Sequence, residues 1–323
     1  DSNFIWTKNI GGSDHDYAHS ITTDSDGNVL VAGEFRKNID IDDDGSDDLI
    51  SNGSRNAYIA KFNSDGNFIW AKSFGAPSAH SITIDSSGNI LAGGGLGYVV
   101  KFDSDGNFIW AKNIGGSGNY FSFARSIATD SRDNVLVGGF FRGNIDIDDD
   151  GIDDLTSTSN SRWDAYAAKF NSDGNFIWAK NIDRGTGNNV DALAYSITTD
   201  SSDNVLVGSF FKGNIDINGD GTDDLTSNGD IDAYAAKFDS DGNFIWAKNI
   251  GGSDLDRAYS ITTDSSDNIL VGGEFRGNID IDGDGNNDFT SNGRSNGFVV
   301  KFSEITNSPP TDIVLSNNTT DEK

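Results

Sequence analysis

From Ser196 onward, short runs of β-branched and aromatic residues alternate with clusters of Asp, Asn, Ser and Gly. Ser196-Ile-Thr-Thr reads as a short strand, Asp200 to Asn204 as a turn, and Val205 to Phe211 as a second strand. A long polar excursion follows. Ala233 to Phe238 then reads as a third strand, Asp239 to Asn243 as a turn, and Phe244 to Lys248 as a fourth strand. Asp-Gly and Asp-Asn pairs between β-rich runs are hairpin signals. Small Ala and Gly stand beside large Phe and Trp, the composition of strands packed on both faces.

This pattern occurs five times. Phe-Ile-Trp ends at Trp6, Trp70, Trp110, Trp178 and Trp246. Ser-Ile-x-x-Asp begins at Ser20, Ser81, Ser126, Ser196 and Ser260. Lys-Phe recurs at Lys61, Lys101, Lys169, Lys237 and Lys301. A long fixed period means stacked supersecondary units. Four antiparallel strands per unit predict a propeller blade, and hence an all-β, five-bladed β-propeller over residues 1–303. The Trp markers are 64, 40, 68 and 68 residues apart, so the basic unit is the 40-residue one and the others carry an insertion between the second and third strands. A solenoid is the alternative, but it needs distinct capping units, and none is visible. The chain is cut out of phase with its repeat. Residues 3–8 read as a fourth strand without its first three, and residues 260–302 as three strands without a fourth. The expectation is a ring closed by the N-terminal strand completing the last blade, which removes two exposed sheet edges.

Four insertions carry the same ladder of acids. Counting its first Asp as position one, side-chain oxygens recur at one, three, five and nine. The residues are Asp40, Asp42, Asp44 and Asp48; Asp146, Asp148, Asp150 and Asp154; Asp216, Asn218, Asp220 and Asp224; and Asp280, Asp282, Asp284 and Asp288. Gly45, Gly151, Gly221 and Gly285 hold position six, where a sharp turn brings alternate side chains to one centre. Position seven (Ser46, Ile152, Thr222, Asn286) adds a backbone carbonyl. Position eight varies, being Asn287 in the last copy, which favours nine as the ligand. This is the logic of an EF-hand loop without its bidentate Glu at twelve. The expectation is about four Ca²⁺ ions, one per loop. Mg²⁺ suits an all-protein cage poorly.

Charge sharpens that reading. The formal net charge is -28, and only four acids are Glu (Glu34, Glu274, Glu304, Glu322), so nearly all are Asp, a turn former and hard-cation ligand. A phosphate backbone would be repelled, which excludes nucleic acid as a partner. No apolar run approaches a membrane span, so no membrane insertion is expected, and there is no Cys. Catalytic signatures such as Gly-x-Ser-x-Gly or a phosphate-binding Gly loop are missing, and the expectation is not an enzyme. His19, His80, Arg125, Tyr195 and Tyr259 share one repeat position, just before the first strand. Together they read either as a ligand-binding ring at a channel mouth or as ordinary exposed loop residues. Nearly every acid is repeated in turns or ladders, and Glu34 and Glu274, both following Gly in the second strand, are the exceptions of note. Phe140 and Phe210 replace them in sister repeats, which points to packing variation rather than a glycosidase pair. Trp163 lies outside the repeated Trp position, as a recognition aromatic or a loop cover.

The run Asp-Gly-Asn-Phe-Ile-Trp-Ala-Lys, followed by Ile-Gly-Gly, Ser-Ile-Thr-Thr-Asp and Asn-Val-Leu-Val-Gly-Gly, resembles the bacterial SBBP-type β-propeller repeat over about residues 1–303. The resemblance implies a secreted or cell-surface bacterial protein without a common catalytic activity. The ladders resemble Ca²⁺ loops of integrin-type propellers and thrombospondin-like repeats. The tail Asn307-Ser-Pro-Pro-Thr-Asp-Ile-Val-Leu-Ser316 resembles the opening of a bacterial cadherin-like domain, so residues 304–323 are expected to be a linker and the start of a following domain. The implied function is a calcium-binding, non-enzymatic interaction or adhesion module. Its partners would be a surface glycan or protein and further domains of the same polypeptide. A lectin-like carbohydrate-binding propeller is the alternative, and a glycosidase the weakest reading.

Overall fold

The computed structural model describes residues 3–51, 55–115, 121–157, 162–184 and 191–303. The expected tail domain, residues 304–323, lies outside them. The chain is all-β, and it divides into two compact parts, Asp1–Asn181 and Ile182–Lys323. Within each, the repeat forms antiparallel sheets in simple up-and-down order. The first repeat pairs Tyr17–Thr23, Val29–Phe35, Asn56–Phe62 and Phe68–Phe74 in sequence. The second pairs Ala79–Ile84, Ile90–Gly94, Tyr98–Phe102 and Phe108–Asn113. The fourth uses Ser196–Thr199, Val205–Lys212, Asp232–Phe238 and Phe244–Gly252. The fifth has Asp256–Thr263, Ile269–Phe275 and Asn296–Phe302. Residues 3–8, expected as a strand, carry none among the described residues, and no strand pairs the free edge of Asn296–Phe302 there.

One strand runs longer than the sequence predicts. The fourth strand of the fourth repeat continues past Lys248 to Gly252, and Gly251 and Gly252 pair with Asp280 and Ile279 of the next insertion. The same link recurs as Gly11↔Asp40, Gly115↔Asp146 and Asp183↔Asp216. Gly-Gly reads as a strand breaker, but here it allows close approach. A Cβ on Gly252 would lie 1.9 Å from the Asn278 carbonyl oxygen, and one on Gly12 2.0 Å from that of Asn38. Each acid ladder therefore begins on a strand hydrogen-bonded to the outgoing end of the preceding repeat.

Third strands form the heart of the fold. Tyr58, Tyr166 and Tyr234 are fully buried there, as are Phe170, Phe238 and Phe302. Apolar clusters fill the seams between consecutive repeats. One joins Leu30, Ala32 and Ile59 to Ile82, Ala92 and Val100; another joins Leu206 and Ala235 to Ile261, Val271 and Val300. The repeated Trp adds a second joint. Trp70 and Trp110 lie over Gly106 and Gly174, the left-handed glycines of the next repeat's Asp-Gly-Asn or Ser-Asp-Gly turn. The Trp110 Nε1 donates to the Ser172 carbonyl at 3.1 Å, and so does Lys101 Nζ at 3.0 Å.

That lysine belongs to a motif of its own. In every repeat the Lys of Lys-Phe meets the Asp that ends Ser-Ile-x-x-Asp. The distances are Lys61–Asp24 3.0 Å, Lys101–Asp85 2.8 Å, Lys169–Asp130 2.8 Å, Lys237–Asp200 2.7 Å and Lys301–Asp264 2.6 Å. Burial would raise the Asp85, Asp130 and Asp200 carboxyls, but the ammonium and an Asn amide overturn it and hold them below the ordinary value.

Two faces break the pattern. The first-strand Ile is buried in four repeats (Ile82, Ile127, Ile197, Ile261), whereas Ile21 is 67% exposed. The equivalent third-strand residues Ile59, Val99, Ala167 and Ala235 are fully buried, whereas Val299 is 77% exposed. Ile21 and Val31 line a cleft of about 590 Å³ with Trp6, His19 and Phe62.

Candidate metal centres

Each ladder is a loop of consecutive Asx turns. In the first, Asp40 accepts from the Asp43 and Gly45 amides at 2.7 and 2.9 Å, Asp42 from Asp44 at 3.1 Å, and Asp44 from Ser46 at 2.7 Å. Asp48 closes the loop by accepting from the Ile41 amide at 2.7 Å. The loop turns through two left-handed residues, Asp43 (φ 65°) and Gly45 (φ 90°). Gly45 was legible as position six. Position four was not, although its Asp43, Asp149, Gly219 and Gly283 are all residue types that tolerate positive φ.

The outcome is convergence at positions one, three and nine. Carboxylate oxygens of Asp40, Asp42 and Asp48 lie within 4.8 Å of one another, as do those of Asp146, Asp148 and Asp154, and of Asp280, Asp282 and Asp288. Among the described residues, none of these nine acids forms an ion pair. Lys112 and Lys248 approach two of the loops, yet each donates to the position-three carbonyl, of Asp148 and Asp282, at 3.2 Å. Partial burial, then the neighbouring carboxylates, push the Asp42 and Asp148 carboxyls up. Three converging hard oxygens that no ammonium or guanidinium pairs directly fit a hard divalent cation. Position five is not gathered with them, and Asp44, Asp150, Asp220 and Asp284 accept from the position-seven amide instead.

Position eight has a separate duty. Asn38, Asn144 and Asn214 donate to Asp47, Asp153 and Asp223 at 2.8, 2.9 and 2.7 Å, tying the loop to the strand that enters it. The fourth repeat's loop differs at position three. There the Asn218 amide donates to Asp224 at 3.0 Å and Asp220 at 3.3 Å, neutral hydrogen bonds among the acids of Asp216, Asp220 and Asp224.

His19, His80, Arg125, Tyr195 and Tyr259 sit differently from expectation. His19, His80, Arg125 and Tyr259 lie within first strands, not before them, and Tyr195 directly precedes Ser196–Thr199. Each of those four is the extra residue of a β-bulge, at the register shifts Ala18/Ser20, Ala79/Ser81, Ala124/Ser126 and Ala258/Ser260. Bulges re-aim side chains, and sequence spacing alone cannot reveal them. In the N-terminal part the rings form a row: Tyr17 stacks on His19 at 5.8 Å, and His19 meets His80 at 5.3 Å. Burial, then Arg125 and His19, lower the His80 pKa to about 4, so it is neutral. Trp163 covers Phe123 and Phe140 edge-on, with the Arg142 guanidinium 3.8 Å from its ring centre. Glu34 is 7% exposed, with Arg55 Nη1 at 3.2 Å and His19 Nε2 at 3.9 Å.

The SBBP family, described as a beta-propeller repeat, matches residues 5–34. An uncharacterized WD repeat-containing protein, L264 of Acanthamoeba polyphaga mimivirus, is 29% identical over 119 residues; the match spans 32% of this chain and only 8% of the viral protein. Among solved structures, a protein of unknown function from Dyadobacter fermentans DSM 18053 is 13% identical, with a TM-score of 0.48 over 82% of this chain and 77% of that one. The Dos1 propeller is 11% identical, with a TM-score of 0.44 over 82% and 68%. Among the described residues no helix is long and apolar enough to cross a membrane.

Proposed function

We propose that the chain is a calcium-binding, non-enzymatic interaction module of a secreted or cell-surface bacterial protein. The carrying observation is the triple convergence of carboxylates without an ion-pair partner in three loops. Each loop's first Asp pairs with the end of the preceding repeat, through a strand at Asp40, Asp216 and Asp280 and a single bridge at Asp146, so a bound Ca²⁺ fixes the joint between repeats as well as the loop. One ion in each of four loops removes eight of the 28 net negative charges. Affinities of roughly 10⁻⁴ to 10⁻³ M suit a structural ion in a calcium-rich extracellular medium.

The architecture we propose is a five-bladed ring in which residues 3–8 supply the outer strand of the fifth blade. Trp6 supports this. It rests on Gly66, with Cδ2 2.8 Å from a Cβ placed there, and its Nε1 donates to the Ser64 carbonyl at 3.0 Å. Trp110 sits on the following repeat in the same way, and Trp70 shares the contact with the glycine. A closed ring also covers the exposed faces of Ile21 and Val299.

Removal of calcium by a chelator lowers the melting temperature, and titration calorimetry counts three to four sites. An unchanged melt sinks the calcium reading. A lectin-like role is the second reading, favoured by aromatic side chains presented on first-strand bulges. Hydrolysis is disfavoured, because both unmatched acids, Glu34 and Glu274, are engaged by Arg55 and Arg257. At Glu274 the Tyr259 hydroxyl, with the Arg257 guanidinium, holds the carboxyl below its ordinary value and makes it a poor general acid.

A further inference from the structure

In the C-terminal part, one bulge residue belongs to a mixed polar and aromatic cluster. Tyr259 is 45% exposed, and its hydroxyl donates to Glu274 Oε1 at 2.8 Å. Arg257 Nη1 donates to the same oxygen at 3.3 Å. Both bonds land on Oε1 and leave Oε2 to accept from a ligand. The Arg257 guanidinium lies 5.1 Å from the Phe210 ring centre. Tyr195 stands 5.3 Å from Phe210 and 6.5 Å from Tyr259, so rings flank the ion pair. The Glu274 and Arg257 side chains are each a little over a quarter exposed.

The fold does not require an acid here. The third and fourth repeats place Phe140 and Phe210 at the position of Glu274. The first repeat has Glu34 there, but it is nearly buried, with Arg55 Nη1 on one oxygen at 3.2 Å and the His19 ring 3.9 Å from the other. Glu274 is thus the open member of the set. A free carboxylate oxygen can accept from one sugar hydroxyl while the guanidinium beside it donates to the neighbouring one. The flat rings beside them suit the C–H face of a sugar. The Glu–Arg pair is neutral as a unit, and a chain of net charge -28 repels anions.

We propose that Tyr195, Arg257, Tyr259 and Glu274 form a binding site for a neutral pyranose of a glycan. The site rests on the interaction-module reading but not on calcium. The test is saturation-transfer NMR on the full chain with maltotriose, cellotriose and mannotriose, and with sialyllactose and tetralysine as competing chemistries. At least one neutral trisaccharide receives saturation on its ring protons, and sialyllactose does not. Glu274→Gln weakens that binding about tenfold or more without moving the melting temperature, and Tyr259→Ala weakens it further. Glu34→Gln leaves it unchanged. No transfer to any neutral trisaccharide, transfer unaffected by Glu274→Gln, or tetralysine binding that Glu274→Gln abolishes each overturns the proposal. Repeating the titration in chelator, below the chelated melting temperature, separates the two readings. Sugar binding persists there if the site is as described, whatever becomes of the calcium loops.

Discussion

At the residue scale, the Lys–Asp pair is the feature most tightly tied to the repeat, and it was readable only as two separate markers. Ser-Ile-x-x-Asp and Lys-Phe stand far apart in sequence, and nothing in either predicts that one grips the other. Lys101→Met tests the pair. Its aliphatic chain fills the space but strands Asp85, whose side chain is 1% exposed, at a cost of about 3–5 kcal/mol by urea unfolding. The pH dependence changes sign. In the native protein Asp85 lies below its ordinary value of 3.8, so its contribution is present above that pH and is lost as the pH falls through the lowered folded value. Without the lysine, burial is opposed only by the Asn89 hydrogen bonds and the carboxyl rises, so the variant gains stability on acidification from pH 7 towards 5. A variant with the native pH profile would show that the pair is not what holds Asp85 charged.

At the element scale, glycines separate conformation from crowding. Gly151 and Gly174 both have positive φ, but a Cβ on Gly151 meets nothing within 4 Å, while one on Gly174 lies 2.9 Å from Trp110 Cδ2. In calcium-free buffer, Gly151→Ala costs about 1–2 kcal/mol for the left-handed conformation alone. Gly174→Ala costs a further 1–3 kcal/mol, roughly, for displacing the indole. Equal losses in denaturant melts would mean that the Trp seat contributes nothing. The four-stranded unit, its turns and the site of the insertion were all legible, because alternation and Asp-Gly signals are local. The extended fourth strand and the bulges were not. The first depends on a partner strand in the next insertion, and the second on a register shift that leaves no mark on residue spacing. Likewise the ladder showed its acids and its position-six glycine, but not that position five faces the backbone while one, three and nine converge.

At the scale of the whole molecule, the question is what covers Ile21. Its counterpart Ile82 is 6% exposed within a seam, so Ile82→Lys buries a charge and costs several kcal/mol. In a closed ring Ile21→Lys costs about as much, measured by thermal melting of both variants side by side. If Ile21→Lys is neutral while Ile82→Lys is severe, that face is open to solvent and the ring is not closed. The out-of-phase cut made closure readable from sequence as an expectation. The seat of Trp6 on Gly66, like those of Trp70 on Gly106 and Trp110 on Gly174, sets residues 3–8 against the first repeat; the Ile21 variant tests the rest of the proposed closure.

The strand that leaves one repeat and pairs with the insertion of the next has a consequence for heredity. Both halves of that joint lie between one Trp marker and the next, as Gly11 and Asp40 do between Trp6 and Trp70. A duplication running from one Trp to the next therefore copies an outgoing Gly-Gly end together with an incoming ladder. Every such cassette arrives with its joint whole, whereas one cut between the end of a fourth strand and the next first strand carries the ladder away from the strand it pairs with. The 40-residue copy, which has no insertion, shows that the ladder can be gained or lost without breaking the order of the cassettes.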